Sequence, residues 1–334
     1  MNTKPAPEDA LQRAPVHPSS APGAPGRSTL EAQDADEHAH NLTNWQQEYD
    51  QLAGGRFYGR IDEVALEGFQ LFKEHTNRSL RQQCNVWKDS VWLGIPAQTA
   101  DCRINGLPVD SNQLMCRPGA RDFELMTPDA FDIYGIVVKE EVLLRAVERE
   151  GRALNLALLE QAPRLTVELQ RLDQVRYLLE RVVTHSADGL NSRLQQDLAS
   201  TALLALLSED NLTTQTTPSY AHRKQVVDKV KAYIASSPNT PVSMTELCEL
   251  THVSRRTLQY SFESILGISP LKFLRTTRLN QVRRALSDPL HDTPIAVTAA
   301  NWGFWHPGQF AREYKALFGE NPSQTVKKAQ SAFR

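Results

Sequence analysis

Twice between Ser243 and Gly319 the chain repeats one pattern: a short helix, a tight turn, and a second helix that stops at a glycine. In the first unit the Ser243 hydroxyl can cap a helix while Glu246, three residues on, reaches back to the Ser243 amide as a capping box. Met244, Leu247, Cys248 and Leu250 supply the apolar stripe. A turn through Thr251, His252 and Val253 leads to a second cap, Ser254. There the helix SRRTLQYSFESIL begins, with Leu258, Phe262 and Ile265 inward and Gly267 as its stop. In the second unit Thr293 caps, Pro294 takes the first helical position, Ile295 and Ala299 pack, and Gly303 ends the helix. His306 and Pro307 then open HPGQFAREYKALFG, where Phe310, Tyr314, Leu317 and Phe318 recur at helical spacing before Gly319. Between the units, residues 270–287 form a helix that buries Leu271, Leu274, Leu279, Val282 and Leu286. At 1.5 Å per residue it is a stiff spacer of about 27 Å. Two helix-turn-helix units, at about 243–266 and 294–318, are the expectation, preceded by a helix from about 222 to 236.

Charge is distributed to match. The chain as a whole carries a formal net charge of −2, from 37 Lys and Arg against 39 Asp and Glu. From Ser219 onward 16 Lys and Arg face 8 Asp and Glu, a net +8, which leaves −10 for residues 1–218. Clustered positive charge gains from releasing counterions condensed on a phosphate backbone, so a basic third on an acidic chain points to a polyanion. A solvated charged surface is the plain alternative. The second helix of the first unit gathers Arg255, Arg256, Gln259 and Tyr260 outward. Arginine suits guanine, glutamine suits adenine, and a tyrosine hydroxyl suits phosphate.

The N-terminal part reads differently. Residues 1–38 hold Pro5, Pro7, Pro15, Pro18, Pro22 and Pro25 among Ala, Ser and Gly with almost no large apolar side chain, a composition expected to stay disordered. A short helix over 42–52 follows, with Trp45 and Tyr49 four apart and Gly54-Gly55 as its end. Residues 57–138 break into short apolar or alternating runs separated by turns, which predicts antiparallel strands, most simply closed into a small cupin-like β-barrel. Helical spacing returns over 140–208, and the Thr-rich stretch 209–219 reads as a linker. The expected fold class is α+β: a sensor domain of barrel plus helices over 39–208, a linker over 209–221, and an all-α domain of tandem helix-turn-helix units over 222–334.

Other classes lack their required residues. No window approaches the ~18 apolar residues of a membrane span and the first thirty residues have no apolar core for a secretory signal, so a cytoplasmic location with no membrane partner is expected. Cys84, Cys102, Cys116 and Cys248 contain no Cys-x-x-Cys pair and read as reduced structural thiols. Residues 56–140 contain His75 alone, short of the ligand set of a metal-dependent barrel enzyme, and no Gly-rich phosphate loop or His-Glu-x-x-His is present. Neither an enzyme nor an intrinsic cofactor or metal is expected.

The segment from about 242 to 326 resembles the paired helix-turn-helix domain of the AraC/XylS family of bacterial transcription regulators. The likeness is carried by SRRTLQYSF at 254–262, GISPLKFLRTTRLNQVRRAL at 267–286 and WGFWHPGQFAREYKALFGENPS at 302–323. It implies double-stranded DNA as partner, with Arg256, Gln259 and Tyr260 in one major groove and His306, Gln309 and Arg312 in the next. Tyr260 stands where many members have Arg or Ser. The likeness further implies an activator that recruits RNA polymerase, with an N-terminal sensor that answers a small-molecule effector and forms a homodimer.

Within the family the chain is similar to regulators of ethanolamine-utilisation operons, on LTNWQQEYDQL at 42–52, LRQQCNVWKDSVWLGIP at 80–96 and RPGARDFELMTPDAF at 117–131. That implies ethanolamine and adenosylcobalamin as effectors. The residues themselves offer Trp87 and Trp92, with Asp122, Glu124 or Asp129, as parts that could hold an ammonium group; two tryptophans packed in a core is the plainer reading. His75 and His185 read as surface histidines and supply no corrin site. The alternatives are a regulator of this type that answers another metabolite and a ligand-independent DNA-binding protein.

Overall fold

A computed structural model of the chain describes residues 26–149, 151, 159, 162–184, 192–207, 218–236 and 242–332. Residues 1–25 of the expected tail, His185 and most of the expected linker lie outside them. From Gly26 onward the chain is regular: β1 (Gly26–Ala32), α1 (Ala35–Ala39) and β2 (Gln46–Gln51). Asp34 caps α1 by accepting from the Asp36 and Glu37 amides. The helix expected over 42–52 is therefore largely strand. Trp45 and Tyr49, four apart, share a face under either period, and pairing of β2 with a neighbouring strand decides between them.

The strands continue with β3 (Gly59–Leu66), β4 (Phe69–Thr76), β5 (Leu80–Asn85), β6 (Ser90–Pro96), β7 (Arg103–Ile104) and β8 (Leu107–Pro108). β9 (Gln113–Pro118), β10 (Phe123–Thr127) and β11 (Phe131–Lys139) complete the run, and β12 (Arg164–Thr166) follows the helix α2 (Glu140–Arg149). They form two antiparallel sheets, in the orders β1-β3-β4-β11-β6-β9-β12 and β2-β5-β10-β7-β8. The expected barrel is not formed: neither sheet closes on itself, since the end strands of each lie apart and unpaired with one another. The N-terminal domain is instead a mixed α/β unit in which two open sheets stack on a shared core.

Alternation along the strands explains the layering. In β6, Trp92 faces the second sheet, while Val91, Leu93 and Ile95 face the other way. In β11, Ile133 and Val137 face inward, while Ile136 and Val138 do not. The seven-stranded sheet is thus buried on both faces. Its outer face packs on α2, α3 (Leu169–Thr184) and α4 (Ser192–Leu206), through Leu143, Leu172, Leu179 and Leu203.

The C-terminal domain is all helical: α5 (Pro218–Ser236), α6 (Met244–Thr251), α7 (Arg255–Leu266), α8 (Pro270–Leu286), α9 (Ile295–Asn301), α10 (Pro307–Phe318) and α11 (Pro322–Ala332). The Ser243–Glu246 capping box is present, and the Ser254 hydroxyl accepts from the Thr257 amide. Two details of the second unit differ from expectation. Pro294 is itself the N-cap of α9, with no side-chain cap bond. On α8, Leu271 is exposed and Phe273 is buried in its stead, because the helix packs on neighbours to two sides.

Each helix-turn-helix unit has its own core, and α8 runs through both. Its N-terminal half puts Phe273 and Leu274 with Leu247, Leu258, Phe262 and Ile265. Its C-terminal half puts Leu279, Val282 and Leu286 with Ala299, Phe310, Tyr314 and Phe318. The first of these cores also takes in Leu52 and Met126, so the outer face of the five-stranded sheet is continuous with the interior of the helical domain.

Candidate nucleic-acid interface

The two second helices, α7 and α10, bury the same apolar positions, and α7 buries Ser261 as well. Leu258, Phe262, Ile265 and Leu266 of α7 correspond to Phe310, Tyr314, Leu317 and Phe318 of α10, and the N-caps Ser254 and His306 correspond as well. Both helices end on a left-handed glycine, Gly267 at φ 70° and Gly319 at φ 69°. Gly319 is doubly constrained, because a Cβ there would lie 2.9 Å from the Arg56 backbone nitrogen.

With the inward faces in register, the outward faces can be compared. Arg256 stands opposite Gly308, Thr257 opposite Gln309, and Tyr260 opposite Arg312. Gln259 has Ala311 as its counterpart. Arg255, Arg256, Tyr260, His306, Gln309 and Arg312 are all exposed, and Gln259 is half-buried. The two helices thus present different side chains from one scaffold.

Several of these groups are braced from behind. The Gln259 amide donates to Glu263 at 2.6 Å, and the Gln309 amide donates to Glu313 at 2.9 Å. Glu313 is in turn gripped by Arg275 of α8, so the spacer helix helps to aim Gln309. Arg223 of α5 lies over the Tyr260 ring, 5.4 Å from its centre.

The N-terminal domain also holds this assembly. Outward residues of its five-stranded sheet form cross-strand rows: Asp50, Arg81 and Met126 in one, Glu48, Gln83 and Glu124 in the next. Arg284 of α8 reaches Asp36 at 2.8 Å, Asp50 at 3.0 Å and Glu48 at 3.2 Å. Arg283 beside it pairs with Asp34 and Glu320. Lys231 of α5 meets Glu124 at 2.8 Å, and Arg81 meets the same carboxylate at 2.5 Å. The Asn280 amide exchanges hydrogen bonds with the Gln51 backbone, 3.0 Å each way. Finally, the Leu317 carbonyl at the end of α10 accepts from the Gly55 amide at 3.0 Å and from the Gln51 side chain at 2.7 Å. Gly54 allows this approach, since a Cβ there would lie 2.7 Å from the Ala316 carbonyl oxygen.

These contacts set a pH dependence. Burial by itself would raise the Asp34 carboxyl, but the Arg283 charge and the amides of α1 outweigh it and hold the group below its ordinary range. Glu124, likewise desolvated, is held low by Arg81 and Lys231, and Glu320 by Lys328 and Arg283. Glu48 goes the other way, raised by burial against the pull of Arg284, and its protonation offsets part of the effect. The lowered groups contribute stability that is complete above the ordinary carboxylate range and is lost as pH falls through their folded-state values. The thermal midpoint is therefore expected to hold from neutral pH to about 5 and to fall below it, read by calorimetry at fixed ionic strength. A midpoint that climbs on acidification to about 4 would contradict the assignment.

The residues named for a ligand do not come together. Trp87 and Trp92, each 1% exposed, lie between the sheets. The Trp87 indole donates to Gln70, and Trp92 stacks on Phe123 with ring centres 4.7 Å apart. Glu124, next to Phe123 in β10, points to the opposite face and into the domain interface. Asp122 is exposed and accepts from Asn85, and Asp129 accepts from the Ser79 amide. His75 pairs with Asp132 at 3.1 Å. Open volume adjoins Glu124 instead: a groove of about 490 Å³ lined by Glu48, Asn85, Asp122 and Lys231, next to another of about 510 Å³ reaching Phe273 and Trp302. Among the described residues no group of three or more His, Cys, Asp or Glu could hold a metal ion, and no helix is long and apolar enough to cross a membrane.

Residues 247–328 match the helix-turn-helix domain family. A XylDLEGF operon transcriptional activator of Pseudomonas putida is 32% identical over 166 residues, 48% of this chain and 49% of that protein. A probable thc operon regulatory protein of Rhodococcus erythropolis is 33% identical over 97 residues, 28% of this chain and 29% of that one. A solved structure of a probable AraC family transcriptional regulator from Rhodopseudomonas palustris is 35% identical, covers 31% of this chain and 97% of its own, and has a TM-score of 0.29. The chain spans about half the length of the first of these curated relatives. The likenesses reach the family level and do not single out ethanolamine utilisation. The chain carries a tandem helix-turn-helix domain, and over that domain its likeness is to operon transcription regulators of the AraC/XylS type.

Proposed function

We propose that the chain is a sequence-specific transcription regulator, an activator acting with RNA polymerase, whose α7 and α10 enter successive major grooves of one DNA face. The observation that carries this reading is the arrangement itself. Two recognition helices have separate cores and exposed polar faces, and are joined by one helix of 17 residues, about 26 Å long, on the scale of one ~34 Å DNA turn. The net +8 of the domain supplies the sequence-independent attraction that brings it to DNA.

The N-terminal domain, seated against both units through α5, α8 and α10, is the part that answers a small-molecule effector, by favouring one placement of the reading helices over another. Ethanolamine with adenosylcobalamin is the pair the sequence resemblance implies; a different small metabolite is the broader reading, and it agrees better with relatives whose likeness is to the family alone.

The test is a duplex enriched from a random pool by the full-length protein, followed by fluorescence anisotropy at fixed salt. Arg256→Ala and Arg312→Ala are each expected to weaken that duplex by about 1–3 kcal/mol while leaving random-sequence binding nearly unchanged. Failure of the pool to enrich any sequence would refute the regulator reading. Titration of the enriched complex with the ethanolamine pair, and with other metabolites, then sorts the effectors.

A further inference from the structure

The register between α7 and α10 exposes a difference at their first turns. In the first unit, Val253 packs against the core beneath α7, and the next residue, Ser254, caps that helix through its hydroxyl. Both positions serve folding. Their counterparts in the second unit are Trp305 and His306, and neither does so. His306 makes no side-chain cap bond to α10, and the Trp305 ring is 64% exposed although its neighbours Trp302 and Phe304 pack on the core. A tryptophan left in water forfeits much of the gain its burial would bring. Here it stands at the entrance of a recognition helix, one residue before His306 and on the basic domain.

We propose that Trp305 is a DNA-contacting residue of the second unit, its indole laid against the C5-methyl of a thymine at the edge of the major groove entered by α10. This rests on the regulator reading above and adds to it a base preference from a residue outside the polar reading set. Polar side chains on α10 read hydrogen-bonding edges, whereas the thymine methyl is the one apolar feature the major groove offers, and a large flat apolar side chain suits it. The first unit has Val253 packed inward at this position, so the preference belongs to the second half-site alone.

The experiment uses the full-length protein and the duplex enriched from the random pool, with each thymine replaced in turn by uracil. For the native protein, one or two uracil positions in the half-site lost with Arg312→Ala are expected to weaken binding about fourfold, the worth of one buried methyl-sized group. Trp305→Ala is expected to bind the unmodified duplex about tenfold more weakly, to be indifferent to uracil at those positions, and to keep the native thermal midpoint. Trp305→Phe should recover part of both the affinity and the uracil sensitivity. Native affinity and an unchanged uracil profile in Trp305→Ala would overturn the proposal, as would a fall in thermal midpoint shared by both variants, which would make the ring structural. A pool that enriches nothing defeats the regulator reading first, whereas enrichment without any uracil-sensitive position defeats this inference alone.

Discussion

Replacing Arg81 by alanine is expected to cost the folded protein about 3 kcal/mol, measured by urea denaturation followed by circular dichroism. The guanidinium is 7% exposed, bonds to Glu124 at 2.5 Å and to Asp50 at 3.2 Å, and lies 5.3 Å from the centre of the Phe273 ring. Removing it strands charge in a desolvated place, which is costlier than never having placed it there. The loss falls at the lower end of the usual 3–5 kcal/mol because Arg284 still meets Asp50 and Lys231 still meets Glu124. Adding Lys231→Met to Arg81→Ala should deepen the loss, since Glu124 then keeps neither of its two cations. An Arg81→Ala protein within about 0.5 kcal/mol of native would show that the bridge is not desolvated.

Phe262→Ala is expected to be the most damaging single change in the helical domain, at about 3–5 kcal/mol. The ring is fully buried and meets Phe273 edge-on at 5.5 Å, in the core that also receives Leu52 and Met126 from the N-terminal domain. A cavity there undermines α7 and its seat on the sheet together. Calorimetry should show the lowered transition, and affinity for the enriched duplex should fall more than about tenfold while Phe262→Leu loses under about 1.5 kcal/mol of stability. A Phe262→Ala variant with native affinity and midpoint would mean that α7 is held by other contacts.

These expectations rest on features of unequal legibility. The capping box at Ser243, the cap at Ser254 and the stops at Gly267 and Gly319 were readable because a cap or a left-handed glycine acts within one turn of the chain. The buried faces of α7 and α10 follow from the 3.6 period for the same reason. Leu271 fits that period on α8 and is nevertheless exposed, because a helix packed on two cores does not bury a single stripe. Short alternating runs identify strands but carry no information about which edges meet, so the barrel was the simplest closure of a pattern that forms two open sheets. Strand β2 was hidden by Trp45 and Tyr49, whose spacing satisfies both periods. The docking of the domains left only faint traces: adjacent Arg283 and Arg284 on one helix, and acids at alternate positions, Glu48 and Asp50. Nothing local connects them, since the two arginines and their N-terminal partners Asp34, Asp36, Glu48 and Asp50 lie more than two hundred residues apart.

The bonds that end α10 have a mechanical meaning. Gly55 and Gln51 of the N-terminal domain hold the Leu317 carbonyl at the far end of a twelve-residue helix whose first turn exposes His306 and Gln309. The helix is a lever about 18 Å long with its fulcrum in another domain. A tilt of roughly 5° at that fulcrum would displace the tip by about 1.6 Å, more than the tolerance of a hydrogen bond. On the proposed DNA-binding reading, a shift of a few atoms in the loop after β2 that tilted α10 would move its N-terminal side chains relative to the second half-site.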